Sequence, residues 1–306
     1  MSVVICGSLA FDTIMTFDGR FSEQILPDQL HILNVSFLVP VLRREFGGCA
    51  GNIAYSLLQL GGVPLPMATV GSDGADYIAR MNAMGISTEF VREVNEAYTA
   101  QAMIMTDRDN NQITAFHPGA MTQAHTTQIV ARSDIKIGII SPDGRTAMLE
   151  HAEQFKAADI PFVFDPGQGL PMFDGQELVH FVELATWVTV NDYEAKLLSG
   201  RTGLSIAQLS YKVDGLIVTL GAQGCEVWIN GLKTLVPPVV AQNLVDPTGC
   251  GDAFRGALLF GLERGWSLIR CAELGNQVGA QKIAYQGGQN YTLEAIKSHI
   301  TPEAYF

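Results

Sequence analysis

Five short runs rich in Val and Ile constrain the fold most: VVICGS (3–8), IKIGIIS (135–141), IPFVFD (160–165), TWVTVN (186–191) and GLIVTLG (215–221). None alternates apolar and polar residues as a strand with one wet face would. Buried parallel strands lose that alternation because helices cover both faces of their sheet. Between the runs, GNIAYSLLQLGG (51–62), DYIARMNAMG (76–85) and AFRGALLFGLERG (253–265) carry helical patterns, several of them stopped by glycine. Strand and helix in alternation predict a doubly wound, mostly parallel α/β sheet, with ligands at the carboxyl ends of its strands.

At 306 residues and 47% hydrophobic side chains, the chain can bury the core of one large domain or two smaller ones. There is no internal repeat, low-complexity tract or convincing linker, so a single unit over 1–306 is expected. Two segments break the strand–helix rhythm, residues 13–46 and about 98–117, and both look like β-ribbons. In the second, DRDNNQ between β-forming runs is a hairpin signal. Both a small lid over the site and a pair of edge strands extending the main sheet fit these segments.

Charge narrows the partners. The 31 Asp and Glu outnumber the 19 Lys and Arg, and a formal charge of −12 opposes the counterion release that drives nucleic-acid binding. Cys6, Cys49, Cys225, Cys250 and Cys271 are odd in number and scattered, without CxxC pairs or zinc-ligand spacing. No apolar stretch reaches roughly 18 residues, the minimum for a membrane span, and no basic segment precedes the first apolar run. A soluble cytoplasmic protein is expected.

The chemistry begins at DPTGCGDAFRG (246–256), where an acid follows small residues and a helical pattern starts at once. The first amides of a helix are unpaired and face the positive end of its dipole, so Gly249, Cys250 and Gly251 can receive an anion. Asp252 beside that anion is a poor phosphate ligand but a good general base. It could equally do no more than complement the helix dipole. The stretch is neither GxxxxGK[ST] nor GxGxxG, because Phe254 occupies the last glycine position.

FGGCAGNIAYSLLQLGG supplies a second constellation. Gly47, Gly48 and Gly51 allow close backbone approach, and Asn52 offers donors and acceptors to a polyhydroxylated ligand. Asp12, after the first strand, can accept from two vicinal hydroxyls, as a ribose presents. Ordinary helix-end and capping roles fit Asn52 and Asp12 as well. Third come NDYE and TLGAQG. Asn191 and Glu194 suit Mg²⁺ held through water, or a helix cap; Thr219 and the following glycines can wrap nucleotide phosphates.

In combination, GGxxGN, NxxE, TxGxxG and DPTGxGDxF in this order resemble the ribokinase-like (PfkB-type) carbohydrate and nucleoside kinase family, over about residues 3 to 290. The resemblance implies a doubly wound α/β domain with a small β lid and ATP-dependent phosphorylation of a primary hydroxyl. It makes Asp252 the catalytic base and Gly249, Cys250 and Gly251 the anion hole. Asp12, Gly48 and Asn52 match sugar-hydroxyl ligands. Asn191 and Glu194 match the phosphate and Mg²⁺ motif; Thr219, Gly221 and Gly224 match the nucleotide loop, and Asn276 falls near an ATP-contacting position. Some members of the family also bind a monovalent cation such as K⁺, here near Asp246 and Thr248, and some dimerise through the lid.

LPDQLHILNVSFLVP, RREFGGCAGN, NNQITAFHPGA and FDPGQGLP are similar to bacterial adenosine and broader nucleoside kinases of that family. The expected partners are therefore a nucleoside (adenosine, inosine, guanosine or cytidine) and ATP. Phe37 and Phe116 could cover the base or belong to ordinary packing; Gln101 could read the substrate or be structural, and His117 is expected to be structural. Arg43, Arg44 and Arg145 would be the cations of a sugar-phosphate kinase. A kinase of ribose or fructose, and a ligand-binding relative without turnover, are the alternatives.

Overall fold

A computed structural model describes residues 1–25, 31–109 and 111–300. Among these residues the strands are β1 (Ser2–Cys6), β2 (Ala10–Thr16), β3 (Val41–Gly47), β4 (Val63–Gly71), β5 (Val91–Val94), β6 (Ala100–Thr106), β7 (Gln112–His117), β8 (Ile135–Ile140), β9 (Phe162–Phe164), β10 (Trp187–Asn191), β11 (Gly215–Thr219), β12 (Cys225–Ile229) and β13 (Leu232–Val236). The large sheet runs β13-β12-β11-β10-β9-β8-β1-β4-β5. From β11 to β5 every pairing is parallel, and only β12 and β13 turn antiparallel.

Side-chain alternation along each strand feeds two separate cores. Val3, Ile5, Ile137 and Ile139 face helices Cys49–Gln59, Ala75–Met84, Cys250–Glu263 and Leu268–Lys282. Val4, Cys6 and Ile140 face the opposite layer, built from helices Arg145–Ala157, Gly175–Leu184 and Asp192–Thr202. Each fully buried Leu, Ile or Phe of these layers contributes roughly 1.5–3 kcal/mol by leaving water. The first layer carries the two helices that matter most for the site. They cross at Gly256, where a methyl group would come within 2.5 Å of Ser56 Cβ, so their N-termini are held side by side.

The five Val/Ile runs are all strands of the large sheet. Four of its strands have weaker signals. Pro64 and Pro66 argue against a central strand, yet β5 pairs only with residues 68–71 of β4, so both prolines lie where the β5 side of β4 is open and no ladder bond is lost. The β12–β13 hairpin turns at Asn230 and Gly231, whose φ angles of 49° and 75° are those a two-residue hairpin of this kind requires.

The two β-ribbon segments pair with each other in a separate four-stranded sheet, β3-β2-β6-β7, and do not extend the large sheet. Part of the first segment, residues 26–30, and Asn110 of the DRDNNQ turn lie outside the described residues. Asp107 closes that turn by accepting from the amides of Asp109 and Asn111. No helix among the described residues is long and apolar enough to cross a membrane.

Candidate active site

Gly249 opens the helix Cys250–Glu263 with φ of +78°, a left-handed conformation that glycine adopts without strain. The turn before it is tied down: Asp246 accepts from the amides of Thr248 and Gly287, and Pro247 O accepts from Cys250 N at 3.1 Å. The Cys250 amide is therefore spent on the turn, which corrects its expected place among the anion donors. The amides of Gly249, Gly251 and Asp252 have no partner among the described residues. They form the open end of a long helix, a site made for negative charge.

The Asp252 carboxylate stands beside these amides. Its Oδ2 accepts from Asn52 Nδ2 at 2.8 Å, and it makes no ion pair among the described residues. Burial pushes its pKa up to about 6; the Asn52 bond and the nearby Arg255 hold it down, while Asp165 and Asp12 push it further up. Asn52 is itself fixed from behind. Gln289 Nε2 donates to Asn52 Oδ1 at 3.1 Å and to the Tyr77 hydroxyl at 2.8 Å, and that hydroxyl donates to Gly47 O at 2.6 Å. Donation runs outward from Gln289 along two branches, through Tyr77 to the end of β3 and through Asn52 to the candidate base, and in each branch the middle group both accepts and donates, which cooperative polarisation favours. Asn52 is 5% exposed, so its first task in this structure is to aim Asp252.

The glycines ahead of Asn52 serve the protein's own packing. At Gly48, with φ of +84°, a methyl group would come within 2.5 Å of Ser8 O and 2.6 Å of Ala10 N. Gly47 leaves room for the Asp12 carboxylate, and Gly51 for Tyr77 and Gln289. Ser8 closes the helix start, its hydroxyl accepting from Cys49 N and its carbonyl from Ala50 N.

Asp12, which follows the first strand in sequence, lies on β2 of the small sheet. It pairs in register with Glu45 on β3 and Ala102 on β6, and Ala102 pairs with Phe116 on β7. Facing residues share a side of the sheet, so Asp12, Glu45 and Phe116 point the same way. No group among the described residues hydrogen-bonds the Asp12 carboxylate, and burial, Glu45 and Asp246 push its pKa up to about 6. Phe116 is 52% exposed, an uncovered aromatic ring on the side that carries Asp12. Gln101 and His117 are one residue out of phase and face the other side. Gln101 Nε2 donates to Thr13 Oγ1 at 2.6 Å. Strand alternation thus removes Gln101 from the expected substrate contacts. Phe37 packs edge-on against Phe17 and Phe21.

Among the residues matched to a nucleotide site by resemblance, Asn191 and Thr219 sit opposite each other at the carboxyl ends of β10 and β11. Asn191 caps helix Asp192–Thr202 by accepting from Glu194 N, and Glu194 Oε2 accepts from Asn191 N, both at 2.8 Å. NxxE is thus a reciprocal capping box, which leaves Glu194 Oε1 open. The loop Gly221–Gln223 is closed by Leu220 N on Gly224 O, and both Gly221 and Gly224 have positive φ. Gly224 abuts Val236–Pro238, and Asn276 Nδ2 donates to Pro237 O at 2.9 Å, so the loop and Asn276 meet across one short segment.

The turn expected to hold a monovalent cation already has one. Lys282, fully buried, donates its ammonium to Asp246 O at 2.8 Å and to Tyr285 O at 3.2 Å. Burial lowers its pKa while Cys250, Asp246 and Asp252 push it back up. The Asp246 carbonyl is therefore occupied by the chain's own cation.

Lys282, Gln289 and a buried pair between Arg255 and Asp165 were not legible as site residues, although QGGQN (286–290) and the DPG after the third Val/Ile run were available signals. Of the three arginines considered for a substrate phosphate, Arg44 is paired with Asp73 at 3.0 Å and lies 3.5 Å over the Phe11 ring, and Arg145 is paired with Glu177. Arg43 lies 4.0 Å from Glu45.

The model of the pfkB family of carbohydrate kinases matches residues 13–296. The structure of Burkholderia thailandensis nucleoside kinase in complex with inosine is 52% identical, covers 95% of this chain and 93% of its own, and superposes with a TM-score of 0.86. The same enzyme in complex with ADP-inosine is 53% identical over 95% of this chain and 91% of its own, with a TM-score of 0.83. A nucleoside kinase of Methanocaldococcus jannaschii is 29% identical over 259 residues, 84% of this chain and 85% of the relative.

Proposed function

Because the chain belongs to the pfkB family of carbohydrate kinases, we propose that it transfers the γ-phosphoryl group of ATP to the 5′-hydroxyl of a nucleoside. The observation that carries this reading is the Asp252 carboxylate beside the open amides of Gly249, Gly251 and Asp252, held there by Asn52. The 52% identity to an enzyme solved with inosine supports a nucleoside as the acceptor.

Phosphoryl transfer needs positioning and charge stabilisation more than covalent chemistry by the protein. In the proposed mechanism Asp252 takes the proton of the 5′-hydroxyl as that oxygen attacks, and a base poised near pH 6 is ionised at neutral pH. The open amides receive the charge on the moving group. Asp12, with both oxygens unpaired among the described residues, accepts from the ribose hydroxyls, and Phe116 covers the base. Stacking on a ring tolerates any planar base, which fits broad base choice. Thr219, Gly221, Gly224 and Asn276 line the side assigned to ATP.

Mg²⁺ fits the donors present only in an outer role. No cluster of three or more His, Cys, Asp or Glu among the described residues could cage a metal, and Glu194 keeps one open carboxylate oxygen. A Mg²⁺ ion there would be held largely by phosphate and water and would neutralise phosphate charge. The small sheet acts as a lid in this reading, shielding the phosphoryl group from water.

Measuring ADP release with adenosine, inosine, cytidine, ribose and fructose 6-phosphate tests the assignment. Release with nucleosides and little with the sugars is expected. Preferential release with ribose would favour the simple-sugar reading. Fructose 6-phosphate is disfavoured because Arg44 and Arg145 are already paired.

A further inference from the structure

Arg255 lies one helical turn beyond Asp252 and is 6% exposed. Its Nε and Nη2 donate to Oδ2 and Oδ1 of Asp165, both at 2.7 Å, and Nη2 lies 3.9 Å from Glu194 Oε2. A two-point fork on a carboxylate fixes the plane of the guanidinium. The third nitrogen is left over. Nη1 has no hydrogen bond among the described residues, and it is not one of the sealed, unpartnered interior nitrogens such as Arg80 Nε. Its place is defined by Gly251, where a methyl group would come within 2.8 Å of Nη1. Gly251 contributes one of the open amides, so a cationic donor borders the anion hole.

A purely structural role explains this poorly. Burying an ion pair costs desolvation that apolar residues of similar size avoid, and buried arginines normally satisfy every nitrogen. An open, rigidly held donor beside free amides is what a developing phosphoryl charge requires.

We propose that Arg255 is a further catalytic residue whose Nη1 donates to the oxygens of the phosphoryl group in transit, with Asp165 as the positioning residue that aims it. The inference rests on the kinase reading. The acceptor oxygen forms its bond to the γ-phosphorus, the bond from that phosphorus to the β–γ bridging oxygen breaks, and ADP leaves with the electron pair. The acceptor proton goes to Asp252. Arg255 exchanges no proton and acts by charge and direction.

Two variants test it: Arg255→Lys, and the double variant Asp165→Asn/Arg255→Gln, which replaces the Asp165–Arg255 ion pair by a neutral amide pair. Each is assayed for inosine phosphorylation, for calorimetric binding of inosine and of ADP, and for thermal unfolding. The double variant should fold, bind both ligands within a few-fold of wild type, and lose about 10²-fold or more in kcat, the usual worth of a transition-state donor. Arg255→Lys should fall between the two. A folded double variant with near-wild-type kcat overturns the proposal, as does a loss confined to KM for ATP. Absence of ADP release by the wild-type enzyme with every acceptor would instead defeat the kinase reading, so the two failures are distinguishable.

Discussion

Asn52 Nδ2 donates to Asp252 Oδ2 at 2.8 Å, joining the starts of two helices that are 200 residues apart in the chain. The donation favours the ionised carboxylate and opposes the burial that pushes the Asp252 pKa up to about 6. Removing it in Asn52→Ala therefore raises that pKa. The acid limb of kcat/KM against pH, which reports the free enzyme, should move to higher pH by about 0.5–1 unit whatever happens to the absolute rate. An unmoved limb would mean that Asn52 does not tune the base.

The buried ammonium of Lys282 on the carbonyls of Asp246 and Tyr285 leads to a second expectation. Turnover of the wild-type enzyme should be the same in potassium, sodium and choline buffers. Lys282→Ala should be slow in choline and gain rate as potassium is added. Strong potassium activation of the wild type would contradict the assignment.

Strand alternation separates Phe116 from Gln101. Phe116→Ala should raise KM for inosine about 2- to 10-fold, the worth of roughly 0.5–1.5 kcal/mol of aromatic contact. Gln101→Ala should leave it unchanged, because that side chain is bonded to Thr13 on the other face. Steady-state kinetics of the pair in parallel decides between the faces.

Asp143 offers a stability test remote from turnover. It is 2% exposed, Oδ1 accepts from Gly144 N, and Oδ2 has no partner among the described residues. Burial pushes its pKa from 3.8 up to about 8. The fold thus takes up a proton that the unfolded chain releases, so this group's contribution to stability declines as pH rises from 3.8 to about 8. Asp143→Asn removes that decline. Its melting temperature should exceed that of wild type by a margin that widens up to about pH 8 and then levels off.

The strands buried on both faces were readable because their apolar runs have no other use, and Asp252 was readable because its glycines and its helix are contiguous. β4 was obscured by Pro64 and Pro66, which are harmless only because of where β5 begins and ends. Gln101 and Phe116 could not be sorted before the register of β6 and β7 was known. Arg255 with Asp165, Lys282 with Asp246, and Gln289 with Asn52 are 90, 36 and 237 residues apart, so no local spacing reports them. Each draws its meaning from a partner that only the fold supplies.

The role of Asp252 is tested most directly by Asp252→Asn, which preserves shape and removes the proton acceptor. With inosine binding measured alongside by calorimetry, kcat should fall by about 10²- to 10⁴-fold while the variant still binds inosine. A folded variant that phosphorylates inosine at close to the wild-type rate would contradict the assignment of Asp252 as the base.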